Sequence, residues 1–388
     1  MKQIKIYNKI ANVGLNEFPQ GAYDIREDAE APVGALVRSA ALHDEVFPKE
    51  LLAIARAGAG VNNIPVERLA NEGVVVFNTP SANANAVTEL VLLGLLISSR
   101  RVVPAIEWAK TLKGEGEAVG KLVEKGKSAF VGPEIRGKSL GVIGLGAIGV
   151  LVANAALELG MKVYGYDPFL SLQNALHLSA YVERVEDLND IYSKSDYISL
   201  HLPLNSNTKG MLNSDALAKM RDGVRVLNFA RDGLVNSEDM LAALASGKVA
   251  SYVVDFPTDE MLGIENVVAI PHLGASTPES EDNCAVMAVR QLVDYLENGN
   301  ITNSVNLPAL SLPRSTDIRF CVIHKNVPAI LSQITESFAK DRVNIENMLN
   351  KSRGEIAYTL LDVADCDFET ARDHIASIDG VIRVRVIK

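Results

Sequence analysis

His272 and Arg231 are the residues whose types and settings point most directly to chemistry. Each follows an apolar run, VVAIP before His272 and VLNFA before Arg231. Each is therefore expected at the carboxyl end of a buried strand, where open α/β sheets hold their ligands. An imidazole can take a hydroxyl proton, and a fixed guanidinium can hold a carboxylate and a developing oxyanion. The two together suit hydride removal from a 2-hydroxy acid. Asp255 and Asp259 lie in the nearby stretch VVDFPTDE. Asp259 is the expected partner of His272, orienting the ring and favouring its protonated form.

The hydride acceptor is indicated by GVIGLGAIG, in which Gly144, Gly146 and Gly149 keep GxGxxG spacing between a strand pattern and a helix pattern. Gly144 permits a tight turn and Gly146 lets the backbone approach a pyrophosphate. Gly149 allows close helix-to-strand packing, and the helix N-terminus faces the phosphate charge. Asp167 ends the next strand-like run, KVYGYD. A carboxylate there accepts both ribose hydroxyls of NAD and repels the extra phosphate of NADP. No arginine follows at 168 or 169 to reverse the preference, so NAD is the expected cofactor.

The elements that must place these groups are those of an α/β protein. IKIY, GALVRSA, LLAIARAG and GVVVF read as strands of a first lobe, and an apolar stretch from Val87 to about Ala109 reads as a helix linking two lobes. From Leu140 the alternation restarts with LGVIG, MKVYGYD, DYISLHL, GVRVLNFA, VASYVVDF and NVVAI, a doubly wound parallel sheet. A helix from about Pro278 to Asn298 returns the chain to the first lobe. Residues 303 to 315, with Pro308 and Pro313, read as a linker. The remainder reads strand, helix, strand, strand, helix, strand, the ferredoxin-like βαββαβ order. The expected division is residues 1–98 and 280–306 for a substrate lobe, 99–279 for a Rossmann domain and 316–388 for the ferredoxin-like domain.

Composition narrows the partners. At 388 residues the chain exceeds one ordinary domain, and 48% hydrophobic with 22% charged residues is globular. Lys plus Arg number 38 against 48 Asp plus Glu, a net charge of −10, so no basic surplus serves nucleic acid. The three cysteines, Cys284, Cys321 and Cys366, are scattered without metal-ligand spacing. No metal is expected, and the setting is read as cytoplasmic. The uncharged stretch from Ser139 to Leu157 carries too regular a glycine pattern for a membrane span.

GVIGLGAIG, HLPLNSNTKG, VLNFARDG, VVDFPTD and PHLGASTPE, in that order, resemble the D-isomer-specific 2-hydroxyacid dehydrogenases. LVRSA, ARAGAGVNNI and FNTPSANANAVTEL resemble the phosphoglycerate dehydrogenase branch, and the C-terminal residues resemble its ACT regulatory domain. The resemblance implies oxidation of 3-phosphoglycerate, with Arg231 holding the substrate carboxylate and His272 as acid/base. The histidine's partner in that family is usually a glutamate; here Asp259 follows DFPT, with Glu260 beside it. It also implies cofactor contacts at Ala147, Ile148, Leu202 and Ala230, with Asp255 near the nicotinamide amide. Substrate phosphate falls to Arg38 and Arg56, the carboxylate to the amides of Ala59 and Gly60, with Lys127 a further candidate. His324, Asn326 and Asn344 match positions that bind an amino-acid effector, L-serine, and Ala329 stands where a glycine is common. Asp232 replaces a common glycine. A homodimer or homotetramer is implied. The alternatives are a glyoxylate or hydroxypyruvate reductase, an erythronate 4-phosphate dehydrogenase, or an NAD-sensing corepressor on the same fold.

Overall fold

The computed structural model describes every residue except Asp341, and divides into two units, residues 1–83 with 278–388 and residues 84–277. In the first unit five parallel strands stand in the order Tyr23–Arg26, Lys2–Ile6, Gly34–Val37, Ala53–Arg56, Val75–Phe77. The edge strand YDIR escaped the sequence pattern because only its tyrosine is buried. The helix Pro278–Asn298 covers this sheet, burying Cys284, Ala288, Leu292 and Tyr295 at helical spacing against Ile4, Leu36 and Phe77.

The stretch expected as a linker is held in place. Asn306 accepts from the Val76 amide at 2.9 Å and donates to Val74 O at 2.8 Å, extending the sheet edge. Leu307 and Leu310 are buried. The four antiparallel strands that follow run Ile345–Arg353, Ile356–Val363, Ile318–Lys325, Val381–Ile387, with helices Ile330–Lys340 and Phe368–Ala376 between them. This is the expected ACT-like domain. Its strands share a core with the first sheet, since Cys321, Ile323, Tyr358, Leu360 and Ile387 cluster with Phe77, Leu292 and Tyr295.

Arg319 locks that junction. It has no exposed surface, and neither does Asp362, with which it makes a bidentate pair, Nε to Oδ1 at 2.5 Å and Nη2 to Oδ2 at 2.8 Å. Its remaining donors reach the carbonyls of Asn298, Leu312 and Pro313 at 2.9, 2.7 and 3.0 Å. All the donor capacity of a guanidinium is thus used, as a buried charge requires.

The second unit holds seven parallel strands in the order Val267–Ala269, Val249–Val254, Val224–Asn228, Tyr197–Leu200, Ser139–Ile143, Lys162–Tyr166, Glu183–Arg184. The chain reverses direction across the sheet between Ser139–Ile143 and Tyr197–Leu200, which is where doubly wound sheets bind dinucleotides. The apolar stretch from Val87 is two helices, Ala84–Arg100 and Val102–Thr111, with Arg101 at φ +46° between them. Pro104 explains the break: it lacks an N–H and its ring would meet the carbonyl four residues back in a continuous helix, yet it fits a first turn. The whole of Ala84–Arg100 falls in the second unit, packing on the helix Ala147–Glu158. No helix among the described residues is long and apolar enough to cross a membrane.

Candidate active site

Three neighbouring strands of the seven-stranded sheet deliver Arg231, Asp255 and His272 at the same end. Val224–Asn228 leads through Phe229 and Ala230 to Arg231, Val249–Val254 leads directly to Asp255, and Val267–Ala269 leads to His272. The last ladder bond runs from the Ile270 amide to Val254 O at 3.0 Å. Pro271 then has no N–H to continue the pairing, and the chain turns out at His272.

Asp255 is 2% exposed, and neither carboxylate oxygen has a hydrogen-bond partner among the described residues. Burial raises its pKa to about 6, against the opposing pull of its own backbone amide and of Arg231. His272 reaches solvent, but partial burial lowers its pKa and the Arg231 charge lowers it further. The ring stands over Phe256, centroids 4.4 Å apart and planes tilted by 44°.

The expected carboxylate partner is not on the ring. Asp259 and Glu260 are exposed in the short 3₁₀ turn Asp259–Met261, and among the described residues neither hydrogen-bonds His272. Thr258 and Met261 explain this: the turn closes with the Met261 amide on Thr258 O at 3.1 Å and buries Met261. The imidazole therefore lies below its ordinary pKa rather than above it.

Asn228 is a residue the sequence pattern concealed, because it closes an apolar strand. It is 2% exposed; its Nδ2 donates to Arg231 O at 3.0 Å and its Oδ1 accepts from the Ala230 amide at 3.2 Å. The side chain thus fixes the turn that launches Arg231, whose Nη1 donates to Ala230 O at 2.6 Å.

At the strand reversal, Gly144 has φ +95°, and a Cβ there would lie 2.5 Å from His201 O. Gly146 caps the helix Ala147–Glu158 with open space where its Cβ would be, while a Cβ at Gly149 would lie 1.9 Å from Gly144 O. Ala147 and Ile148 form the first turn, whose amides point out of the helix end. Leu202 lies against Gly144 from the neighbouring strand end. Asp167 accepts from the Leu145 amide at 2.9 Å and the Phe169 amide at 2.8 Å, so it also braces the glycine turn. His201 contacts Ser199 Oγ through Nε2 at 2.9 Å, and burial lowers its pKa to about 4. It is a neutral structural histidine.

These features fit NAD. The open cap at Gly146 admits a pyrophosphate, Asp167 follows the strand beside the glycine turn where a ribose is expected, and the unpartnered carboxyl of Asp255 matches a carboxamide donor. When bound, the nicotinamide supplies the hydride acceptor.

In the first unit, Arg38 follows Gly34–Val37 and Arg56 ends Ala53–Arg56, adjacent parallel strands in which Val37 pairs with Arg56. Arg56 Nε donates to Arg38 O at 3.0 Å. Arg38 Nη2 donates to Glu281 Oε1 at 2.6 Å, a partner missed because a charged residue on a helix reads as a solvated face. Ala59 and Gly60 follow in the half-buried turn, anchored by Asn78 Nδ2 on Ala59 O at 2.7 Å. Lys127 is exposed and paired with Glu124.

In the C-terminal domain, His324 departs from its expected role. It is 1% exposed, with Nδ1 on Lys325 O and Nε2 on Thr359 Oγ1, each at 2.8 Å. Burial holds its pKa down. Such a ring ties strands together and has no nitrogen left for a ligand. Asn326 and Asn344 are exposed, with Nδ2 on Gly354 O at 3.2 Å and on Glu346 Oε1 at 2.7 Å. Ala329 has φ +63°, a conformation that favours glycine.

Residues 94–274 match the family model described as D-isomer specific 2-hydroxyacid dehydrogenase, NAD binding domain. The chain is 33% identical over 390 aligned positions to the D-3-phosphoglycerate dehydrogenase of Escherichia coli K12, covering 96% of this chain and 91% of that one. It is 32% identical to the protein of the same name from Haemophilus influenzae, over 88% and 82% of the two chains. Among solved structures, the D-mandelate dehydrogenase of Rhodotorula graminis matches with a TM-score of 0.67 at 21% identity, covering 80% of this chain and 99% of that one. That likeness bears on the fold.

Proposed function

The chain belongs to the D-isomer specific 2-hydroxyacid dehydrogenase family, an NAD-binding oxidoreductase, and we propose that its substrate is D-3-phosphoglycerate, oxidised to 3-phosphohydroxypyruvate. The observation that carries the substrate choice is the pair Arg38 and Arg56 at adjacent strand ends. In a chain of net charge −10, two guanidiniums brought together are an unusual local excess, and their fork geometry suits a phosphate. The D-3-phosphoglycerate dehydrogenases matched over nearly the whole chain support the same choice.

In this reading Arg231 takes the substrate carboxylate and steadies the oxyanion that develops at C2. His272 accepts the hydroxyl proton at a ring nitrogen, and its lowered pKa keeps it neutral and ready to do so near pH 7. Ala59 and Gly60 contribute amides to the substrate, and Ala147, Ile148, Leu202 and Ala230 pack on the cofactor.

Regulation by L-serine belongs to the same proposal and rests on the resemblance of the C-terminal domain, with Asn326 and Asn344 as ligand contacts and His324 as internal support. Titration calorimetry with L-serine tests it, and no heat at millimolar ligand would remove it. The reading also takes the protein as a cytoplasmic homodimer or homotetramer, which sedimentation resolves for the assembly. Arg56→Ala tests the substrate: KM for 3-phosphoglycerate should rise while NAD affinity holds.

A further inference from the structure

Arg38 and Arg56 end neighbouring strands, yet their charges are balanced unequally. Arg38 is held by Glu281, in the first turn of the helix Pro278–Asn298. Arg56 forms no ion pair among the described residues: burial lowers its pKa first, Cys284 opposes that, and the Arg38 charge lowers it further. The two guanidiniums therefore repel one another, and only the Arg38 charge is met by a carboxylate among the described residues.

Glu281 and a phosphate both draw on the charge of Arg38. Glu281 Oε1 sits 2.6 Å from Arg38 Nη2, so a phosphate bound to the same guanidinium meets a second negative charge, and two anions on one guanidinium repel. The existing pair is replaceable. Its side chains are each 42% exposed, and an ion pair so exposed is weak, whereas a phosphate on two arginines makes several charge-assisted bonds.

We infer that Glu281 is a specificity-determining residue, whose carboxylate pairs with Arg38 in the free protein and opposes the binding of the substrate phosphate to the same guanidinium. It neutralises Arg38 when no ligand is present, and it weakens the binding of every phosphate-bearing ligand at this place. The inference rests on the assignment of Arg38 to the substrate phosphate.

The test compares the unmodified protein with Glu281→Gln, Arg38→Ala and the double variant. KM and kcat are measured for 3-phosphoglycerate, and the inhibition constant for inorganic phosphate. Glutamine keeps the size and one acceptor oxygen but not the charge. The expected result is that E281Q lowers KM and the phosphate inhibition constant by about two- to fivefold, the change falling on KM rather than kcat. In the Arg38→Ala background the E281Q effect should vanish. A raised KM in E281Q would mean that the carboxylate positions Arg38, and would overturn the inference. So would an unchanged KM while Arg38→Ala weakens phosphate binding. If Arg38→Ala leaves phosphate binding unaltered, the phosphate assignment itself fails and takes the inference with it.

Discussion

The imidazole of His272 and the guanidinium of Arg231 are electrostatically coupled: burial lowers the histidine pKa, and the arginine charge lowers it further. The coupling favours the neutral ring, the form required to accept a proton during alcohol oxidation. It also sets a sign for pH dependence in the proposed reading, since a protonated ring cannot accept the hydroxyl proton.

The acid limb of kcat/KM for oxidation should accordingly fall below the ordinary histidine pKa of about 6.5. Arg231→Met removes the second cause of the lowering, so the limb should move up in pH. Its rate should also drop by about 10²–10³-fold as the oxyanion loses its charge partner. A pH profile of both proteins with NAD checks the direction; a limb that stays in place would exclude the coupling.

Asp167 braces the amides of Leu145 and Phe169, and in the proposed reading it also sets cofactor choice. Asp167→Asn keeps one of the two acceptor oxygens that hold the turn and removes the charge that opposes a 2′-phosphate. The ratio of kcat/KM for NAD over NADP should fall by about tenfold or more, measured by steady-state assay with either cofactor.

The Arg319–Asp362 pair should dominate the stability of the C-terminal domain. Burial alone would raise the Asp362 pKa, but the hydrogen bonds from Arg319 and Ser315 outweigh it and the net shift is downward. A carboxylate lowered on folding contributes stability above its unfolded pKa of about 3.9, and loses it as pH falls through the folded value. Asp362→Asn strands a buried guanidinium and should cost about 3–5 kcal/mol at neutral pH, read from urea unfolding. The penalty should shrink at acid pH.

Ala329→Gly should stabilise the same domain modestly, by about 0.5–1 kcal/mol, because alanine at φ +63° carries a steric cost that glycine avoids. The same urea measurement, on the same scale, decides it.

Much of the fold was legible in the sequence because buried parallel strands read as unbroken β-branched runs, and because Gly144, Gly146 and Gly149 sit where only glycine fits or where a ligand approaches. Arg231 and His272 were legible as charges ending such runs. The edge strand Tyr23–Arg26 was hidden by its polar residues, and the break at Arg101 by the apolar composition of both flanking helices. Glu281 and Asn228 were hidden for a different reason: their roles come from partners distant in sequence or from a turn whose path the pattern does not encode. The pairing of Asp259 with His272 depended on the shape of the DFPTD turn, which buries Met261 and leaves the carboxylate outside.

The central claim is that this dehydrogenase acts on a phosphorylated 2-hydroxy acid, and it meets its most direct test in the oxidation of D-3-phosphoglycerate and D-glycerate side by side with NAD, followed by NADH absorbance. With charge-assisted bonds worth about 1.5–3 kcal/mol each, kcat/KM should favour the phosphorylated substrate by about 10²-fold or more. Equal efficiencies, or a preference for D-glycerate, would contradict the account.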